Sequence, residues 1–190
     1  MARRKKGRRE KERRREKTYS LGKTIRRWVF FILILVLLTV LAIVIANNRT
    51  VATGNDMYPT ISNGDLLVED RISLKLLRPS RDDLITFSSR YEEGVRYIRR
   101  VVGLPGETVE IRDGSVYING VERKEKAGIG MTTAAGTAIN RITLGEEEYF
   151  VMCDDREVIT DSREPTIGNI RLDEMEGRIL FRLWPDPGLL

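Results

Sequence analysis

The sequence predicts a mostly β protein, with a single N-terminal transmembrane helix followed by an extracytoplasmic antiparallel β domain. Three observations carry that prediction. An uncharged apolar run covers 28–46, a basic block precedes it over 1–27, and short segments of alternating hydrophobicity separated by turn dipeptides fill 50–190.

The basic block comes first. Residues 1–27 hold fourteen Lys/Arg against three Asp/Glu, leaving nineteen basic against twenty-five acidic residues after Arg27. The formal charge of +5 therefore describes a tail, and the folded part is acidic, so no nucleic-acid partner is expected. Almost devoid of apolar side chains, the tail is expected to be disordered, to fix topology and to touch anionic lipid. Trp28 to Ala46 follows without a charge and with Thr39 as its only hydroxyl. At about 1.5 Å per residue it extends about 28 Å, the thickness of a hydrocarbon core. It is too long for a signal-peptide core and should remain as an anchor. Lys23, Arg26 and Arg27 crowd its N-terminal end while Arg49 alone follows the other, so the tail is expected in the cytoplasm and residues 50–190 beyond the cytoplasmic membrane.

That outer part reads as β. Val109 and Ile111 alternate with Glu110 and Arg112 before Asp113-Gly114; Val116 and Ile118 follow before Asn119-Gly120, predicting consecutive hairpins. Leu66–Val68, Leu84–Phe87, Tyr97–Val102, Tyr149–Met152 and Ile179–Trp184 are further strand-type runs. Ala127–Ile139, rich in Gly, Ala and Thr, predicts a mobile surface insertion.

Composition excludes much chemistry. With no His, the chain cannot build a Ser-His-Asp or Cys-His site or a His-ligated metal centre, and Cys153 alone forms no internal disulfide. No cofactor or metal is expected.

Several segments, in order, resemble the bacterial type I signal peptidases, membrane-anchored serine proteases that remove signal peptides from exported proteins. Gly54-Asn55-Asp56-Met57-Tyr58-Pro59-Thr60 with Gly64-Asp65 is similar to the box G-x-S-M-x-P-T…G-D. Arg81-Asp82-Asp83-Leu84-Ile85-Thr86-Phe87 resembles R-G-D-[IV]-V-x-F, and Tyr97-Ile98-Arg99-Arg100-Val101-Val102-Gly103-Leu104-Pro105-Gly106-Glu107 resembles Y-I-K-R-V-[IV]-G-L-P-G-D. Asp154-Asp155-Arg156 with Asp161-Ser162-Arg163 is similar to G-D-N-R…S-x-D-S-R. The resemblance implies an antiparallel β domain with an apolar surface resting on membrane lipid. It also implies a groove to which a signal peptide adds as an extended strand. Arg96, Tyr97 and Ile98 would form one wall of that groove, with Asn55 and Met57 flanking the reacting centre; Asp161 and Arg163 match a structural ion pair.

Two positions depart from the pattern. The family's nucleophilic Ser and its general-base Lys correspond to Asp56 and Arg99. A Ser/Lys dyad needs a neutral amine to take the hydroxyl proton. A guanidinium stays protonated and only donates, and a carboxylate attacking an amide would face the oxyanion that it creates. An Asp56–Arg99 salt bridge plugging the site is the expectation. The Ser that positions the Lys aligns with Ile159, and the Gly of G-D-N-R with Cys153.

Other nucleophiles fare less well. An aspartic dyad of Asp56 with Asp154, Asp155 or Asp161 is opposed by the cation at Arg99. Ser62, Ser115 and Ser162 have no placed Lys, since Lys75, Lys124 and Lys126 fall in predicted loops, and Cys153 reads as an apolar filler. Three readings remain: a non-catalytic homologue that binds signal-peptide-like segments or an active signal peptidase paralogue; an active signal peptidase of unrecognised arrangement; and a structural or regulatory membrane protein.

Overall fold

The computed structural model describes the backbone of residues 2–190 and the side chains of all of these except residues 2–22, 24 and 75. Two compact units, 1–47 and 48–190, make up the chain.

The first unit is one helix, α1, Ala2–Asn47. The stretch Ile25–Asn47 is 23 residues long and contains an 18-residue window of mean hydropathy 3.5, long and apolar enough to cross a membrane. Its large apolar side chains, among them Trp28, Leu33 and Leu37, are exposed. The backbone of the basic tail departs from expectation: disorder is predicted over 1–27, and the described part of it, from Ala2 onward, is helical. Lys, Arg and Glu are good helix formers, no Pro interrupts the segment, and a helix nucleated by the apolar run propagates at little further cost. What the side chains of 2–22 and 24 meet, anionic lipid included, lies outside the described residues.

The second unit is β, as the alternation predicts. Its strands are β1 (Arg49–Val51), β2 (Leu66–Asp70), β3 (Leu84–Ser88), β4 (Arg96–Gly103), β5 (Thr108–Arg112) and β6 (Ser115–Ile118), then β7 (Val121–Glu122), β8 (Ile142–Thr143), β9 (Glu148–Met152), β10 (Ile170–Arg171), β11 (Met175–Trp184) and β12 (Gly188–Leu189). Every pairing among them is antiparallel. The larger sheet runs β1-β2-β11-β3-β4-β9-β10 with β12 on β11, and the smaller runs β7-β6-β5-β8.

The two predicted hairpins are present. Asp113 and Gly114 take φ of 50° and 82°, and Asn119 and Gly120 take 53° and 81°, the left-handed pairs that two-residue hairpin turns require. The sheets meet where Val102, Phe150 and Met152 pack on Val109, Ile111, Val116 and Leu144. Gly103 sits at that contact because a Cβ there would come within 2.6 Å of Val109 and 2.7 Å of Leu144. On one face of β3–β4, Ala52, Met57, Ile61, Leu67, Leu84 and Ile179 form a second core cluster; on the other, Ile85, Phe87, Val101, Tyr149, Val151 and Ile170 form a third.

The predicted mobile insertion over Ala127–Ile139 is instead tied down. Ile129, Thr132 and Ala138 are buried. Thr132 Oγ1 accepts from Arg163 Nη1 at 2.6 Å, and the Thr137 N–H donates to the Arg163 carbonyl at 2.8 Å. Small residues pack here against the chain that carries the Asp161–Arg163 pair, which composition alone did not distinguish from flexibility.

Candidate functional site: an ion pair at a strand edge

Two elements build the site. The loop between β1 and β2 carries Asp56, held because Met57 and Ile61 sink into the core and the Ile61 N–H donates to the Met57 carbonyl at 2.9 Å. From the opposite side, the Asp155 N–H donates to the Asp56 carbonyl at 3.0 Å. Facing it, β4 carries Arg99, buried although charged.

Arg99 Nη2 reaches Asp56 Oδ2 at 2.8 Å. The same nitrogen donates to Thr160 Oγ1 at 2.8 Å, Nε donates to the Thr160 carbonyl at 2.7 Å, and Nη1 donates to the Ile98 carbonyl at 2.7 Å. The Thr160 hydroxyl in turn donates to Asp56 Oδ2 at 3.4 Å. The guanidinium also lies 4.9 Å from the Tyr97 ring centre. Only 2% of the Arg99 side chain is exposed against 34% for Asp56, so the cation is withdrawn and the carboxylate faces the cleft.

The cleft is about 420 Å³ and is bordered by 50–54, Met57, Thr86 and Arg96–Arg99. Met57, Arg96, Tyr97 and Ile98, named from the sequence as groove residues, are among those that border it. Arg96 is not free, however. Its Nη2 donates to Glu69 Oε1 at 2.5 Å and its Nε to Glu176 Oε2 at 2.6 Å. Burial alone would push the Glu69 carboxyl up, but hydrogen bonds from Thr86, Arg71 and Arg96 outweigh it and hold this carboxyl below the usual value. Asn55 does not border the cleft: its Oδ1 accepts from the Asn63 N–H at 3.1 Å, closing the loop rather than flanking a substrate.

Ile159 was expected where a hydroxyl had been lost from the site. Its side chain is 43% exposed, and the hydroxyl comes from the next residue, Thr160. The sequence held this signal in the Thr160-Asp161-Ser162-Arg163 run, but both Ile159 and Thr160 lie in the loop between β9 and β10, where spacing does not say which side chain faces inward.

Among the described residues no second carboxylate joins Asp56. Asp154 is held by Arg100 at 2.7 and 2.5 Å and by Thr60 Oγ1 at 2.5 Å, all buried or nearly so. Asp161 is held by Arg163 Nε at 2.9 Å and Nη2 at 2.7 Å, both residues buried, and Asp155 turns to the Glu157 N–H. Ser162 Oγ accepts from the Val151 N–H inside the core, and neither it nor Ser62 nor Ser115 borders the cleft.

Cys153 is buried, and burial pushes its thiol up to about 12, a rise that the nearby Arg99 only partly opposes. We expect iodoacetamide at about pH 8 to alkylate it only after denaturation, at less than about a tenth of the denatured rate before it. Mass spectrometry of the labelled protein reads this directly, and rapid native labelling would contradict the burial described above.

An antiparallel β domain with an open cleft, together with an apolar helix of membrane-crossing length, defines the class of protein. A family model described as "Signal peptidase, peptidase S26" matches residues 25–184, and the chain belongs to that family. Signal peptidase I of Bacillus caldolyticus is 29% identical over 171 residues, covering 84% of this chain and 91% of its own length. Signal peptidase I P of Bacillus subtilis subsp. natto is 30% identical over 182 residues, covering 90% and 95%. Among solved structures, a signal peptidase I from Enterococcus faecalis V583 is 32% identical, covers 54% of this chain and 97% of its own, and has a TM-score of 0.42.

Proposed function

We propose that this chain is a signal peptidase I homologue without peptidase chemistry, which keeps a cleft for extended peptide segments of exported proteins. The Asp56–Arg99 ion pair, at 2.8 Å, is the observation that carries this reading. Peptidase action of the family type needs an oxygen nucleophile and a base that can lose its proton; here the nucleophile position holds an anion and the base position a permanent cation, each neutralising the other. The cleft favours peptide binding over a purely structural role, because the ion pair lines it and still leaves about 420 Å³ open.

In this reading the apolar helix anchors the chain once in the cytoplasmic membrane, with the basic end in the cytoplasm and the β domain outside. Ile72, Leu76 and Leu77, exposed at 67, 81 and 62%, supply apolar surface that suits contact with lipid. An active signal peptidase paralogue is the natural companion of such a protein, supplying the cleavage that it lacks.

The test is a cleavage assay. Detergent-solubilised wild type should leave a model preprotein intact over a time in which a Ser/Lys signal peptidase converts it fully. Product formed by the wild type but not by Asp56→Ala would assign Asp56 a catalytic role and sink the proposal.

A further inference from the structure

The two edges of β4 differ. β3 pairs along Arg96–Arg100, but among the described residues β9 pairs with β4 only from Arg100 onward. The Val101 N–H donates to the Asp83 carbonyl, on the β3 side, at 2.9 Å. By the two-residue alternation of an antiparallel ladder, Tyr97 and Arg99 also bond toward β3, and the backbone groups of Arg96 and Ile98 face the open edge. Arg99 takes one lone pair of the Ile98 carbonyl there and leaves the second.

Side chains alternate about the same ladder. Thr86 lies opposite Ile98 and Phe87 opposite Tyr97, so these successive pairs point to opposite faces. Thr86 and Ile98 border the cleft beside Asp56. Phe87 and Tyr97 border a different cleft, of about 290 Å³, with Ile170 beside them and their rings 5.5 Å apart. A strand laid along the open edge would therefore offer alternate side chains to the two clefts.

The second cleft has a distinct chemistry. Its floor is aromatic and aliphatic, and its rim carries Arg90, Glu92, Glu164 and Glu174. Arg90 and Glu174 satisfy each other through two bonds, at 2.7 and 2.6 Å. Glu92 and Glu164 have no ion-pair partner among the described residues. Two uncompensated carboxylates above an aromatic floor complement a side chain with a long apolar stem and a cationic head.

We infer that this second cleft receives a Lys or Arg side chain from an extended peptide bound along the open edge of β4. The inference rests on the peptide-binding reading above and adds the residue type that the site selects. It also gives Tyr97, which borders both clefts, a place between two adjacent peptide side chains.

The experiment uses the full chain in detergent and peptides of about ten residues that differ at one central position, Lys, Ala or Glu, beside a photoreactive leucine. Fluorescence anisotropy should show the Lys peptide binding about five- to tenfold tighter than the others, the size expected for two partly exposed charge contacts and one cation–aromatic contact. Glu92→Gln together with Glu164→Gln, surface changes that keep the shape of each side chain, should bring the three peptides within about twofold of one another. Cross-links of the Lys peptide should fall in 87–92 and 160–167. Saturable binding without the Lys preference, or with cross-links confined to 50–61, overturns the cleft assignment while leaving peptide binding in place. If no peptide binds saturably, both fall.

Discussion

The Asp56→Ser/Arg99→Lys double variant is expected to cut a model preprotein, while each single variant stays at background. Asp56→Ser alone supplies a hydroxyl beside a guanidinium that cannot take its proton. Arg99→Lys alone supplies an amine beside Asp56, whose carboxylate holds it as an ammonium and offers no hydroxyl to activate. Only the pair restores both functions, so the two changes should be strongly non-additive. The surroundings favour it. The Arg99 side chain is 2% exposed, and an amine buried there loses hydration and is driven toward its neutral form. Thr160 Oγ1 and the Thr160 and Ile98 carbonyls, all within 2.8 Å of the present guanidinium, remain to orient the new group. A positioned base contributes about 10²–10⁴-fold, so the double variant should exceed either single one by at least about a hundredfold. Separation of precursor and product on a gel measures this. A double variant that folds, by its thermal transition, yet forms no product would mean that the cleft no longer presents a scissile bond to residue 56.

Asp161→Ala is expected to be the most destabilising single change in the β domain. The Arg163 side chain is fully buried; its guanidinium gives two bonds to Asp161 and its backbone N–H a third, with Nη1 also on Thr132 Oγ1 at 2.6 Å and on the Arg156 carbonyl at 2.8 Å, and Nη2 on the Val158 carbonyl. Removing the carboxylate strands a buried cation and also deprives the Cys153 N–H of the Asp161 oxygen it donates to at 2.8 Å. Breaking one side of such a pair costs about 3–5 kcal/mol. For a domain of this size the loss corresponds to a melting temperature lower by on the order of 10–15 °C. Replacing both partners, Asp161→Leu with Arg163→Met, should cost less than Asp161→Ala because no charge is left behind. A melting temperature for Asp161→Ala within about 3 °C of the wild type would show that the pair is solvated in solution.

Much of this was legible in the residues. The apolar helix, both hairpins and the central strands follow from charge-free length, turn dipeptides and alternation, all of which are local. The salt bridge followed from charge at two positions that a family pattern brings together. What escaped was set by facing rather than by residue type. Asn55 sits in the motif, yet its amide closes a loop; Ile159 aligns with a hydroxyl, yet Thr160 faces inward; Arg96 lines the cleft, yet Glu69 and Glu176 hold it. The Gly/Ala-rich 127–139 stretch misled for a related reason, because small residues serve both loose loops and close packing, and only its neighbours decide.

The bond from Arg99 Nη1 to the Ile98 carbonyl has a bearing on how copies of this protein meet one another. An unpaired strand edge is a template on which a second chain can grow a sheet, and a membrane protein held at high local density in two dimensions is especially open to that hazard. Here a side chain returns to its own strand and takes one of the two lone pairs of an acceptor that a neighbouring copy would have used. The edge is thereby left a poorer template for indiscriminate sheet growth than a strand with every acceptor open.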